Sequence, residues 1–197
     1  MVYLNTHIDE LDPEVALAEV SLQRREAALR YVREQDRRQS LAAYLLLMQA
    51  LEQEYGIKDA PEFEFGPHGK PWMPAYPQIH FNLSHCPEAV LCVVSDSPVG
   101  CDVEAVAPSL DEDLCRRVCC EEEMADILSD PHPALAFTRL WTRKEAYLKY
   151  TGEGLYDGLG QLLLSPGVKA VSFQSVVAPD SSWVYTVCRP TRTRKCL

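Results

Sequence analysis

The stretch AVLCVVSDSPVGCDVE, residues 89–104, decides the fold. AVLCVVS is a nearly unbroken run of β-branched and aliphatic residues of strand length, which predicts a strand buried on both faces. VGCDVE (99–104) alternates apolar and polar positions and predicts a second strand. The polar SDSP between them predicts a turn, and so a hairpin. Because side chains along a strand alternate with period two, Asp102 and Glu104 share one face and Cys101 and Val103 the other.

Upstream, VYLNTHI (2–8) reads as a short strand, and helical patterning runs from about Pro13 to Tyr55 in pieces at 13–18, 22–33 and 36–55. Asp12 and Ser21 are candidate caps, and Gly56 a stop. The segment 61–77, with five prolines and two glycines, reads mainly as loop, and IHFNLSH (79–85) as a strand ending in a polar turn. Downstream, helices are expected over 110–128 and 134–150, then a glycine loop at 152–160. Three strands follow, in LLLS, AVSFQSVVA and WVYTVCR. The basic tail RPTRTRKCL ends the chain and is expected to be mobile. Strands and helices do not alternate regularly, so the class is α+β.

The chain has 197 residues, 47% of them hydrophobic and 24% charged, with a net charge of −10. That suffices for one large domain or two small ones, and for a core without disulfides. It excludes a disordered or collagen-like chain and a nucleic-acid binder working through overall positive charge. The longest apolar run, Leu41 to Met48, is far short of a membrane span of roughly 18 residues. The N-terminus lacks a cationic, then apolar, export pattern, so a cytoplasmic protein is expected. Eight cysteines without a CxxC pair fit reduced thiols there and argue against a zinc ribbon.

Three constellations carry chemistry. In GCDVE, two carboxylates about 7 Å apart on one strand face repel unless something positive lies near. Gly100 permits close approach of backbone or ligand. In LWTRKEAYLKYTGEGL (140–155), Trp141, Glu145 and Lys149 fall on one helix face, flanked by Lys144. A third carboxylate beside Asp102 and Glu104 makes an oxygen-rich site suited to Mg²⁺ or Mn²⁺. GPHGKPWMP (66–74) and HFNLSH (80–85) add Lys70, Asn82, Ser84 and His85, groups able to meet phosphates.

In this order and at these separations, GKPWMP, FNLSH, GCDVE and WTRKEAYLKYTGEGL resemble the 4′-phosphopantetheinyl transferase superfamily, in its Sfp-type, two-half form. The resemblance spans roughly residues 66–155, with a weaker N-terminal part from Ser21. It implies two similar halves (1–98, the coenzyme A loop and strand motifs; 99–197, the metal carboxylates and catalytic helix) packed about a pseudo-twofold. Each half would hold a small antiparallel-rich sheet with helices, although the halves show no sequence repeat.

The resemblance also implies transfer of phosphopantetheine from coenzyme A to a serine of an apo acyl or peptidyl carrier protein. The coproduct would be adenosine 3′,5′-bisphosphate. Asp102, Glu104 and Glu145 match Mg²⁺ ligands. Arg24, Lys70, Pro71, Asn82, Ser84, His85, Lys144 and Lys149 match the coenzyme A side. Glu145, Lys149 and Asp102 form the catalytic set, with Glu145 as base, directly or through a metal-bound water. One departure stands out: where the family has Asp-x-x-Arg-Ser, this chain reads Asp36-Arg37-Arg38-Gln39-Ser40. Arg37 or Arg38 is then expected to substitute. Arg116, Arg117, Arg139 and Arg143 are candidates for a local patch meeting the carrier. Removing Asp102 is expected to relieve repulsion and slightly raise stability. A monomer is expected, with neither nucleic acid nor membrane as partner. The competing readings are a Mg²⁺-dependent phosphodiesterase or nuclease, and a non-catalytic binding module.

Overall fold

A computed structural model of the protein describes residues 1–154 and 158–191. The expectations for Leu155, Cys196 and the tail beyond Thr191 lie outside the described residues. The elements run β1 (Val2–Asn5), α1 (Pro13–Glu19), α2 (Leu22–Ala28), α3 (Glu34–Tyr55), β2 (Glu64–Phe65), β3 (Pro71–Trp72), β4 (His80–His85) and β5 (Val90–Ser95). Then come β6 (Gly100–Ala105), α4 (Glu112–Val118), α5 (Glu121–Ser129), α6 (Pro133–Thr151), β7 (Val171–Val177) and β8 (Trp183–Pro190). The fold is α+β. Both proposed caps operate: Asp12 accepts from the Glu14 N–H and Ser21 from the Arg24 N–H. Gly56 ends α3 in the left-handed conformation that suits glycine.

The strands at 90–95 and 100–105 do not form the expected hairpin. β5 is the centre of an antiparallel sheet ordered β1-β5-β4, and β6 is the edge of another ordered β6-β8-β7. The SDSP turn therefore carries the chain from one sheet to the next. β6 finds its partner about eighty residues downstream, with Asp102 opposite Thr186. Each sheet is preceded or crossed by one long helix, and each has the strand order first, third, second.

Three apolar layers hold this together. α3 packs Leu41, Tyr44, Leu47 and Leu51 onto one face of the first sheet, against Phe81, Val90, Cys92 and Val94. The other face (Leu91 and Val93) meets Cys101, Val103 and Val187 of the second sheet. Ala146, Tyr147 and Leu148 of α6 cover the far side with Cys188 and Val171. Burying each such aliphatic side chain contributes roughly 1.5–3 kcal/mol. The period-two pattern of GCDVE is thereby used as read: Cys101 and Val103 enter the core between the sheets, leaving Asp102 and Glu104 the opposite face.

Three further expectations are corrected. The helix expected over 110–128 is two helices, because the backbone turns extended at Cys119 and Cys120. LLLS belongs to a 3-10 segment, Leu159–Leu164, rather than a strand. The proline-rich loop contains a small ladder, β2 against β3. The seven described cysteines are free thiols. Among the described residues no helix is long and apolar enough to cross a membrane.

Gly100 sets how closely α6 approaches β6. A Cβ there would lie 2.1 Å from the Ala146 carbonyl oxygen and 2.3 Å from the Tyr150 nitrogen, both backbone atoms that cannot swing aside. The close approach read from the sequence is thus that of a helix. Gly100→Ala is expected to cost on the order of 3 kcal/mol, lowering Tm by roughly 6–12 °C. A melting curve within 2 °C of wild type would contradict this packing.

Candidate active site

The site forms where β4, β6 and α6 meet. The edge strands of the two sheets are spliced by a side chain: Asn82 Oδ1 accepts from the Cys101 N–H at 2.9 Å. Two residues along β4, on the same face, buried Ser84 donates from Oγ to Asp102 Oδ1 at 2.8 Å. Lys149, from the last turns of α6, donates to the same Oδ1 at 2.6 Å and to Ser84 Oγ at 3.0 Å. Asp102 is 2% exposed, and its other oxygen, Oδ2, is buried without a partner. An unsatisfied carboxylate oxygen in such a place costs free energy unless a further positive group reaches it.

The neighbouring carboxylates show the same deficit of positive charge. Burial first, then Asp102, raise Glu104 to about 7, with Lys149 and Trp141 opposing. Glu145 is also raised, by burial and then Asp102, again with Lys149 opposing. Burial alone would lower Lys149, but Asp102 outweighs it and the ammonium is held above its ordinary value. One lysine thus serves three carboxylates. Hard oxygen donors with one orphaned lone-pair atom fit a small divalent cation such as Mg²⁺. Among the described residues no three ligating side chains already stand together as a formed metal centre; Lys149 takes up Oδ1 instead.

Beside this cluster opens a cavity of about 280 Å³, lined by His68, Lys70, Pro71, Asn82, Glu145 and Lys149 among others. Gly152 and Gly154, both with positive φ, turn the chain along its wall. Lys70 reaches the end of α6 and the start of β6, donating to the carbonyls of Tyr150 at 2.9 Å and Val99 at 3.3 Å. Burial lowers its pKa. His85 ends β4 just beyond Ser84. Loss of water around its ring, then the charges of Lys149 and Arg24, lower its pKa.

The structure therefore brings together Asp102, Glu104, Glu145, Lys149, Ser84, Asn82, Lys70 and Pro71, whereas His85, the next residue after Ser84, ends β4 with its side chain exposed. Arg24 is close enough to act on His85, but its guanidinium donates to the Ser40 carbonyl (2.7 Å) and hydroxyl and lies over the Tyr44 ring. Lys144, expected on the coenzyme A side, is fully buried and donates to Val118 O, Glu123 Oε2 and Leu159 O. Gln39, at the family's arginine position, is buried within α3. Arg38 pairs with Glu34 and Asp9, and Arg37 with Glu14, so both expected substitutes are already engaged by carboxylates. Arg116 is likewise engaged by Glu112 and Asp113, and Arg143 lies over the Phe173 ring. Arg117 and Arg139 are exposed.

Residues 98–188 match the family model described as the 4′-phosphopantetheinyl transferase superfamily. Residues 10–97 match that for the N-terminal part of 4′-phosphopantetheinyl transferase. A 4′-phosphopantetheinyl transferase of Bacillus subtilis is 32% identical over 159 residues, 78% of this chain and 70% of that protein. One from Bacillus pumilus is 36% identical over 143 residues, covering 71% and 61%. The Sfp protein of Bacillus subtilis strain 168 is 27% identical over 157 residues, covering 78% and 70%.

Proposed function

The chain belongs to the 4′-phosphopantetheinyl transferase superfamily, and from that we propose that it transfers 4′-phosphopantetheine from coenzyme A to a carrier-protein serine. It is an enzyme of the holo-[acyl-carrier-protein] synthase type, and the phosphodiesterase and binding-module readings are not favoured. The observation that carries the site reading is Asp102: one oxygen held by Lys149 and Ser84, the other buried and unpartnered, with Glu104 and Glu145 facing the same space.

In our reading, Asp102, Glu104 and Glu145 hold Mg²⁺, or Mn²⁺ in its place. Bound there, the ion would neutralise charge on the coenzyme A pyrophosphate and orient it. Lys149, already aimed into the site, donates to a phosphate oxygen when the pyrophosphate arrives. His85 and Lys70 grip phosphate from the first half. Pro71 and Asn82 shape the wall, and Arg24 closes the far side. The carrier's serine oxygen bonds to the β-phosphorus as the bond to the departing adenosine 3′,5′-bisphosphate breaks. Glu145 accepts the hydroxyl proton. Its place on the α6 face that carries Lys149, turned toward Asp102, is what suits it to that role. Positioning and electrostatics then supply most of the acceleration.

The repeated strand order supports reading the two halves, 1–98 and 99–197, as a pseudo-twofold pair. The free thiols support a reducing, cytoplasmic setting. We keep a monomer acting on coenzyme A and an apo acyl or peptidyl carrier, without nucleic acid or membrane, and place Arg117 and Arg139 among the groups that meet the carrier. The direct test is release of adenosine 3′,5′-bisphosphate from coenzyme A. Release is expected only when an apo carrier is added; release without it, or none with any carrier, would count against the reading.

His85→Ala and Lys70→Ala should each weaken coenzyme A binding. A charge-assisted hydrogen bond contributes on the order of 1.5–3 kcal/mol, which is roughly tenfold or more in Kd. His85→Ala is the cleaner variant, because Lys70 also ties Tyr150 and Val99. Unchanged calorimetric affinity in both would move the cofactor elsewhere.

A further inference from the structure

Lys144 is 0% exposed, a rare state for an ammonium group. Its three protons have three acceptors: the Val118 carbonyl at 2.6 Å, Glu123 Oε2 at 2.6 Å and the Leu159 carbonyl at 2.9 Å. A lysine has three donors and no more, so none is left for a phosphate. The acceptors come from three separate segments. Val118 ends α4. Glu123 lies in the first turn of α5, and the same Oε2 also accepts from the Cys120 N–H at 3.0 Å, closing that helix start. Leu159 opens the 3-10 segment after the glycine loop. The last two contacts are reinforced by backbone packing: a Cβ on Gly160 would lie 3.1 Å from the Cys119 carbonyl.

Lys144 and its three acceptors hold a different face of α6 from the one that carries Glu145 and Lys149. Consecutive helix residues differ by about 100° in direction, so Lys144 and Glu145 project into different neighbourhoods. The opposite side of α6 lies hard against Gly100. The helix is therefore gripped from both sides, by backbone contact at β6 and by an ion pair with two carbonyl bonds at the α4–α5 junction. Any roll of α6 would carry Glu145 and Lys149 out of register with Asp102. Removing one partner of a buried pair leaves the other charge stranded, so the grip is sensitive to single substitutions.

We infer that Lys144 is a positioning residue, which locks the α4–α5 junction and the 159–164 segment onto α6 and so fixes Glu145 against Asp102, and that it does not contact coenzyme A. The inference rests on the transferase reading for its kinetic arm only. Lys144→Met, Glu123→Gln and the double variant are compared with wild type below their melting temperatures. Lys144→Met is expected to lose at least tenfold in kcat, while its Kd and stoichiometry for coenzyme A stay within twofold. The double variant is expected to turn over faster than Lys144→Met, because it no longer buries an unpaired carboxylate. Amide hydrogen exchange across residues 144–150 should rise at least tenfold, with that of residues 41–51 in α3 unchanged; this arm needs no activity. If Lys144→Met does not fold, Glu123→Gln alone decides, with a several-fold loss of kcat at unchanged coenzyme A affinity. A tenfold rise in the coenzyme A Kd with kcat retained would make Lys144 a substrate contact. Unchanged kcat and unchanged exchange across α6 would reduce it to a filler of space. Either result overturns the inference. A wild-type protein that transfers nothing would instead count against the transferase reading and leave the exchange measurement to judge Lys144.

Discussion

Asp102→Ala is expected to abolish carrier transfer, with a fall beyond the roughly 10²–10³ associated with losing one electrostatic contact in an active site. Asp102 is the residue on which the site converges: Ser84 and Lys149 both donate to one oxygen, the other is unpartnered, and its charge bears on Glu104 and Glu145. The structure reverses the stability expectation drawn from the sequence. Repulsion among the carboxylates would ease, but the Lys149 and Ser84 donors would lose their acceptor, so the alanine variant should melt lower than wild type. Asp102→Asn separates the two effects. The amide oxygen still accepts from Ser84 and Lys149, so Tm should stay close to wild type while transfer is still lost. Full turnover by the asparagine variant at ordinary Mg²⁺ would refute the assignment.

Glu145→Gln is expected to leave a loss of at least roughly 10² in turnover that saturating Mg²⁺ or Mn²⁺ does not repair. The amide keeps an oxygen for a cation but cannot take the serine proton. Burial and Asp102 already disfavour the charged form of Glu145, so neutralising it should not lower Tm. Coenzyme A should still bind, because its grip is assigned to Lys149, His85 and Lys70. The measurement is kcat across a metal series, with coenzyme A affinity determined alongside. Recovery to near wild-type rates would leave Glu145 as a ligand alone.

Much of this site is legible in the sequence because it obeys local periodicities. Period two in GCDVE assigns Asp102 and Glu104 to one face, and helical spacing puts Glu145 and Lys149 together. Gly100 signals a close approach, and the structure supplies the backbone that makes it. What is not legible depends on partners far along the chain. A short polar turn between two strands looks the same whether it closes a hairpin or passes between sheets, and β6 has its partner at 183–188. Lys144 lies beside the active face on a helical projection, yet its acceptors at 118, 123 and 159 draw it the other way. The break at Cys119–Cys120 left one signal, Glu123 three residues after Cys120, but a cysteine is not among the usual capping residues. Three leucines in LLLS satisfy a strand pattern as well as any short apolar run.

The most direct test of the central claim is the intact mass of an apo carrier protein after incubation with this protein, coenzyme A and Mg²⁺. A gain of one phosphopantetheine per carrier is expected, absent when the acceptor serine is replaced by alanine and absent with Asp102→Asn enzyme. A carrier whose mass is unchanged across acyl and peptidyl types, with coenzyme A bound and Mg²⁺ saturating, would contradict it.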